Sequence, residues 1–298
     1  MEPRKLLPIL ALFIVLSLTA LVWFYPTIGD FRTGNPFWNG LTTFTTDFET
    51  STVTSYNGIP SPSKETVLIV IPYVQFTETE LNKLRQYVSL GGTLVVMDDY
   101  GYGNQILSHL GLIMRFTDKP LLDPLFNYKN KWFPRITDFT QTPIAKNVTS
   151  IVLNYASSLT NTSDTTVIAW SSRFSFLDLN GNSIWDTDEP TEPQPVAAFA
   201  KVDQGYVVAV SDPSILINSM MNMDDNLNFI KNVMEIQASS PTIYVDQYHL
   251  PKTSLDEAKE TIATVGELVS SPLGALSLIT VILALALTPV WRKGEKNE

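Results

Sequence analysis

The chain has 298 residues, a formal net charge of −10 and no cysteine. The missing cysteine excludes disulfides, thiolate metal sites and a cysteine nucleophile. The acidic balance argues against nucleic acid, which needs a basic face, and suits cations or basic partners.

Residues 6–25, LLPILALFIVLSLTALVWFY, are apolar and uncharged. So are residues 272–291, PLGALSLITVILALALTPVW. Each has the roughly 20 residues a helix needs to cross about 30 Å of hydrocarbon. Arg4 and Lys5 precede the first; Arg292, Lys293 and Lys296 follow the second. The positive-inside rule then puts both termini in the cytoplasm. The expected plan is an N-terminal transmembrane anchor (1–25), an extracytoplasmic α/β domain (26–270) and a C-terminal transmembrane helix with a short basic tail (271–298). A cleaved signal peptide is the other reading of the first segment. Its length and the aromatic run Trp23-Phe24-Tyr25 favour an uncleaved span.

Residues 26–62 read as a loop leading to a short strand near 52–56. VLIVIP at 67–72 is a continuous apolar run, the pattern of a strand buried on both faces. Thr77-Glu78-Thr79-Glu80 opens a helix with a cap and an acidic first turn, which Gly91-Gly92 ends. TLVVM at 93–97 is the next buried strand, so this unit is a parallel βαβ crossover. A short helix follows at 103–111. Strands are expected at 150–155 and 165–170, and a hairpin at 195–202 and 205–211 with Gly205 supplying its turn. Helices are expected at 214–221 and 226–237, a strand at 242–245, and a last helix from Thr253. The expected fold class is α/β: a mixed sheet flanked by helices, between two transmembrane helices.

Two stretches carry candidate chemistry. In Asp178-Leu-Asn180-Gly-Asn182-Ser-Ile184-Trp-Asp186-Thr-Asp188-Glu189, oxygen ligands fall at the spacing of a twelve-residue calcium loop. The expected Ca²⁺ ligands are Asp178, Asn180, Asn182, the Ile184 carbonyl, Asp186 and Glu189. The glycine stands at loop position 4, with Ser183 at position 6. The alternative is a solvated acidic turn. The turn Asp98-Asp99-Tyr100-Gly101-Tyr102-Gly103-Asn104 lies at the carboxyl end of a parallel strand, where open α/β sheets bind ligands; the alternative is a glycine-rich connection. Asp246 and His249, three apart, could share a proton or bind a metal. No GxSxG, HExxH or Walker motif occurs.

VLIVIPYVQFTETELNKLRQYVSLGGTLVVMDDYGYGNQILSHLGL, followed by LLDPLFNYKN, resembles the family called domain of unknown function 4350. SDPSILINSMMNMDDNLNFIKNVM is similar to a later segment of that group. Asp246 and His249 stand where the family often has Asp-Glu-x-His; here Gln247 replaces the Glu. The resemblance covers roughly residues 35–250. It implies a class I glutamine-amidotransferase-like fold with a flavodoxin-like sheet, in a group partly associated with transport systems. Amidotransferase chemistry itself lacks its cysteine here. The expected function is a membrane-anchored, non-catalytic domain that binds a ligand or a partner membrane protein such as a transporter. The expected ligand contacts are Asp99, Tyr100, Asn104, Asp212, Asn226, Asp246 and His249. A carboxylate/His or metal-assisted hydrolase and a structural cell-envelope protein are the alternatives.

Overall fold

The computed structural model describes residues 3–277, 279, 280 and 283, with side chains from Leu10 onward. Its helices are α1 (Pro3–Phe24), α2 (Thr42–Asp47), α3 (Glu78–Ser89), α4 (Gly103–His109), α5 (Asn226–Met234) and α6 (Ser254–Ser270). The chain divides into two compact units, Thr27–Pro251 and the pair Met1–Pro26 with Lys252–Glu298.

The larger unit is built on an eight-stranded mixed sheet. In chain order its strands are β1 (Ser51–Val53), β2 (Thr66–Val70), β3 (Thr93–Met97), β4 (Asp138–Phe139), β5 (Thr166–Trp170), β6 (Pro195–Val202), β7 (Gly205–Val210) and β8 (Thr242–Asp246). They lie in the order β1-β8-β2-β3-β7-β6-β5-β4. The first five of that order run parallel; β6, β5 and β4 continue the sheet antiparallel.

The apolar runs of β2 and β3 have a direct cause. Val67, Ile69, Val95 and Met97 enter one core, with Phe44 of α2 and Phe229, Ile230 and Val233 of α5. Leu68, Val70, Leu94 and Val96 enter the other, with Leu81, Leu84 and Val88 of α3 and Ile106 and Leu107 of α4. Both faces are covered, so neither side of these strands alternates with polar residues. Each such side chain contributes about 1.5–3 kcal/mol by burial.

The βαβ unit matches its sequence reading closely. Thr77 and Glu80 form a reciprocal capping box at the start of α3, and Gly91, at φ +109°, ends the helix. The hairpin of β6 and β7 is present, but its turn differs from expectation. Asp203 takes the left-handed conformation, at φ +52°. Gly205 instead permits close packing: a Cβ there would stand 2.3 Å from the Gly92 carbonyl oxygen and 2.4 Å from that of Val88. The strand expected at 150–155 contracts to Ile151–Val152, paired with Arg135–Ile136. The helix expected at 214–221 is a single 3₁₀ turn, Pro213–Leu216.

In the smaller unit, α6 begins with a second capping box, between Thr253 and Asp256, and Lys259 donates to the Tyr25 carbonyl. Among the described residues no helix is long and apolar enough to cross a membrane. That corrects the expected pair of transmembrane helices, together with the cell-membrane location, cytoplasmic termini and extracytoplasmic placement that depended on them. Most of the second apolar segment lies outside the described residues.

Gly205→Ala forces a carbon against two carbonyl oxygens, so it should lower unfolding free energy by about 1–3 kcal/mol, as overpacking does. Gly58→Ala meets no atom within 4 Å and should be close to neutral. Urea unfolding of both variants checks the contrast.

Candidate functional site

The parallel strands end along one edge, and five of the seven expected contacts follow or close those ends directly. After β3, Asp98 is buried, and its two carboxylate oxygens accept the amides of Gly101 at 2.7 Å and Gly103 at 2.6 Å. A Cβ on Gly101 would stand 2.4 Å from the Pro72 carbonyl oxygen; one on Gly103 would stand 2.7 Å from Asp98 Oδ2. Close approach, not positive φ, explains these glycines. Burial pushes the Asp98 carboxyl up to about 7, against the pull of those two amides.

Asp99 Oδ1 accepts the Tyr73 hydroxyl at 2.6 Å and the Tyr100 amide at 2.7 Å. Burial raises the Asp99 carboxyl; burial and Asp99 raise the Tyr73 phenol. Tyr100 is partly exposed, and its hydroxyl donates to the Tyr155 carbonyl at 2.9 Å. After β7, Asp212 accepts the amides of Asn154 at 2.6 Å and Ser214 at 2.7 Å. Burial, with the nearby Asp99 charge, pushes its carboxyl up to about 8. Two expected contacts are consumed inside the protein. Asn226 exchanges bonds with the Val152 amide and carbonyl and also donates to Met220. Asn104 exchanges bonds with the amide and carbonyl of Phe116.

At the end of β8, His249 Nδ1 lies 2.6 Å from Asp246 Oδ2, which also accepts the Tyr56 hydroxyl at 3.0 Å. Asp246 Oδ1 accepts the Tyr248 amide at 2.7 Å. The imidazole is buried. Phe76 stacks on it at 3.5 Å, and Tyr56 meets it edge-on at 4.7 Å. Its Nε2 has no hydrogen-bond partner and faces Glu80 Oε2 at 3.7 Å. Burial pulls the Glu80 carboxyl upward, but Thr77 and His249 outweigh it and leave it lowered. Asp246 thus fixes the ring, and Nε2 is the atom left over for proton exchange, closed in by aromatic rings. Gln247 ties down the loop at residues 31–33, accepting the Thr33 amide and donating to the Phe31 carbonyl.

Sequence reading missed Tyr56, Tyr73, Phe76 and Glu80. Glu80 had a visible role as a helix cap; its approach to His249 spans the fold and leaves no local pattern.

The calcium expectation is corrected. Asp178 accepts the amides of Gly181 and Ser183, each at 2.8 Å. Glu189 accepts those of Leu179 at 2.8 Å and Asp186 at 3.1 Å. Asn180 and Asn182 turn their amide groups onto Asp186, and the Ile184 amide donates to Asn182. Among the described residues no group of three or more His, Asp or Glu side chains is placed to hold a metal ion. The same oxygen spacing closes the loop on its own amides.

The family described as Domain of unknown function (DUF4350) matches residues 39–234. No curated protein matches the chain. Among solved structures, the chain is similar to the mmIFT52 N-terminal domain, with 14% identity and a TM-score of 0.46 over 57% of this chain and 76% of that one. The cytoplasmic protein STM1381 from Salmonella typhimurium LT2 is similar at 14% identity and TM-score 0.41, over 61% and 77%. The beta-galactosidase from Bacillus circulans sp. alkalophilus is similar at 14% identity and TM-score 0.38, over 59% of this chain and only 23% of that one.

Asp98 and Asp212 ordinarily ionise near 3.8, and burial carries them to about 7 and about 8. The folded chain therefore keeps protons that the unfolded chain has lost, and raising pH from about 4 to about 8 removes stability. Asp212→Asn should flatten that slope in urea titrations, while losing one accepted amide at every pH. Equal slopes in the two proteins would remove Asp212 from the account.

Proposed function

We propose that this chain, which belongs to the DUF4350 family, is a non-catalytic recognition domain that takes its ligand at the carboxyl edge of the sheet. The observation that carries this reading is how the edge spends its polar groups. Asp98 and Asp212 hold backbone amides, and Asp99 holds a phenol and an amide. His249 is closed beneath Phe76 and Tyr56. The loops so fixed present Tyr100, Tyr102 and Tyr155, all exposed. A rigid frame with outward aromatic rings favours binding over turnover. The turn after β3 carries carboxylates and no cysteine nucleophile, and those carboxylates serve the loop.

One observation favours a second reading, a hydrolase. The 2.6 Å Asp246–His249 bond with an unbonded Nε2 is the arrangement of a general base and its orienting carboxylate. Phe76 would then have to move for a substrate to reach it.

A thermal-shift screen of the full chain against sugars, nucleosides and short peptides, followed by product analysis, separates the two. A ligand that binds the native state raises the melting temperature. The expected ligand is recovered unchanged, and its effect is lost in Tyr100→Ala but kept in His249→Gln. Conversion of the ligand, abolished in His249→Gln at unchanged melting temperature, would establish the hydrolase instead.

A further inference from the structure

Exposed rings collect on loops next to the carboxyl edge, and hydrogen bonds join those loops into one surface. Ser172 Oγ donates to Asp123 Oδ2 at 2.6 Å. The Tyr155 amide donates to the Trp132 carbonyl at 2.9 Å. Tyr100 ties the edge to the same place through the Tyr155 carbonyl. Leu125 is 65% exposed, Tyr155 50%, Phe126 45% and Phe174 37%.

The rings are held in pairs. Trp132 and Tyr155 stack at 4.1 Å and 17°, and Phe126 and Phe174 at 5.8 Å and 8°. Tyr155 also adopts φ +55°, a conformation that disfavours a side chain bearing Cβ and persists only where the surroundings enforce it. A strained tyrosine with half its surface in solvent does not serve core packing. The Trp132 carbonyl, the Tyr100 hydroxyl and the stacked indole fix it in place.

Charge narrows the ligand. Lys131 donates to the Ser183 carbonyl. Arg135 pairs with Asp224 at 2.9 Å. Arg173 lies 4.8 Å over the Phe174 ring, and Lys129 lies 4.9 Å over that of Tyr128. The cations near the patch are thus directed at carbonyls, a carboxylate and rings, in a chain of net charge −10. Those four cations are engaged by groups of the protein itself, and the chain as a whole is acidic, so the surface is not built to select an anionic polymer.

We propose that this surface binds a neutral oligosaccharide, with the paired rings stacking on the C–H faces of pyranose units and neighbouring amides and carboxyls taking the hydroxyls. This rests on the recognition reading above and names its ligand class.

Affinity electrophoresis of the full chain tests it, with hydroxyethyl cellulose, glucomannan, xylan, soluble starch and laminarin as neutral probes and alginate and heparin as anionic ones. At least one neutral polymer should retard the protein. Tyr155→Gly, which removes the ring and suits the backbone, and Phe126→Ala should each weaken retardation about tenfold, the scale of a lost stacking partner. Trp38→Ala, an exposed aromatic outside the patch, should not. Circular dichroism verifies that each variant is folded. No retardation by any neutral polymer, retardation by the anionic polymers alone, or retardation indifferent to both ring deletions overturns the proposal. A neutral polymer that is bound and also shortened, with shortening lost in His249→Gln, would overturn the non-catalytic reading and leave the sugar surface standing. A non-sugar ligand lost in Tyr100→Ala, with no polymer bound, would do the reverse.

Discussion

The buried carboxylate that accepts two backbone amides is the interaction on which the sheet edge depends. Parallel strands covered on both faces must end in turns that are themselves partly buried, and each turn strands amides away from water. An unmade bond of that kind costs about 1–3 kcal/mol. Asp98 and Asp212 answer it at the ends of β3 and β7. Asp123 does the same for Leu125 and Phe126, and Asp178 and Glu189 for the loop between them. The cost of burying these carboxyls appears as their upward shift at Asp98 and Asp212. The chain accepts that cost because a carboxylate offers two oxygens to a turn that a single carbonyl could not close.

This repeated use explains where sequence reading succeeded and where it went astray. The frame β2–α3–β3 was legible because periodicity, a capping box and a terminal glycine agree there. The hairpin of β6 and β7 was legible for the same reason, although the residue at its turn was misassigned. Two-residue ladders such as Ile151–Val152 with Arg135–Ile136 leave too short a pattern to see. The loop 178–189 misled because calcium and backbone amides ask for the same thing, oxygens converging from alternate positions. Spacing alone does not distinguish a cation from a ring of N–H groups. Asp99 was found because it follows a strand, and Asp246 because it stands three residues before His249. Glu80 was not, because its second contact is made by the fold rather than by its neighbours in sequence.

His249 illustrates a different limit. Its partner Asp246 was legible from a separation of three, and the two do meet. Its closure under Phe76 depends on the loop after β2, which lies far away in sequence. Local residues can nominate a proton-carrying pair, but access to it belongs to the tertiary structure. The choice between binding and chemistry therefore rests on the Phe76 side of the imidazole rather than on the pair itself.

The two outer strands of the sheet are its shortest, three residues in β1 and two in β4. A sheet of this width would otherwise offer two long rows of free N–H and C=O groups to any passing chain. Here the template is cut off almost as soon as it begins. β1 gives way to a short 3₁₀ turn at Tyr56–Gly58, and β4 carries the exposed Asp138. The long apolar strands that make the core stable are also those most prone to cross-β assembly, and the fold keeps them in its interior positions, flanked by strands too short to recruit another copy.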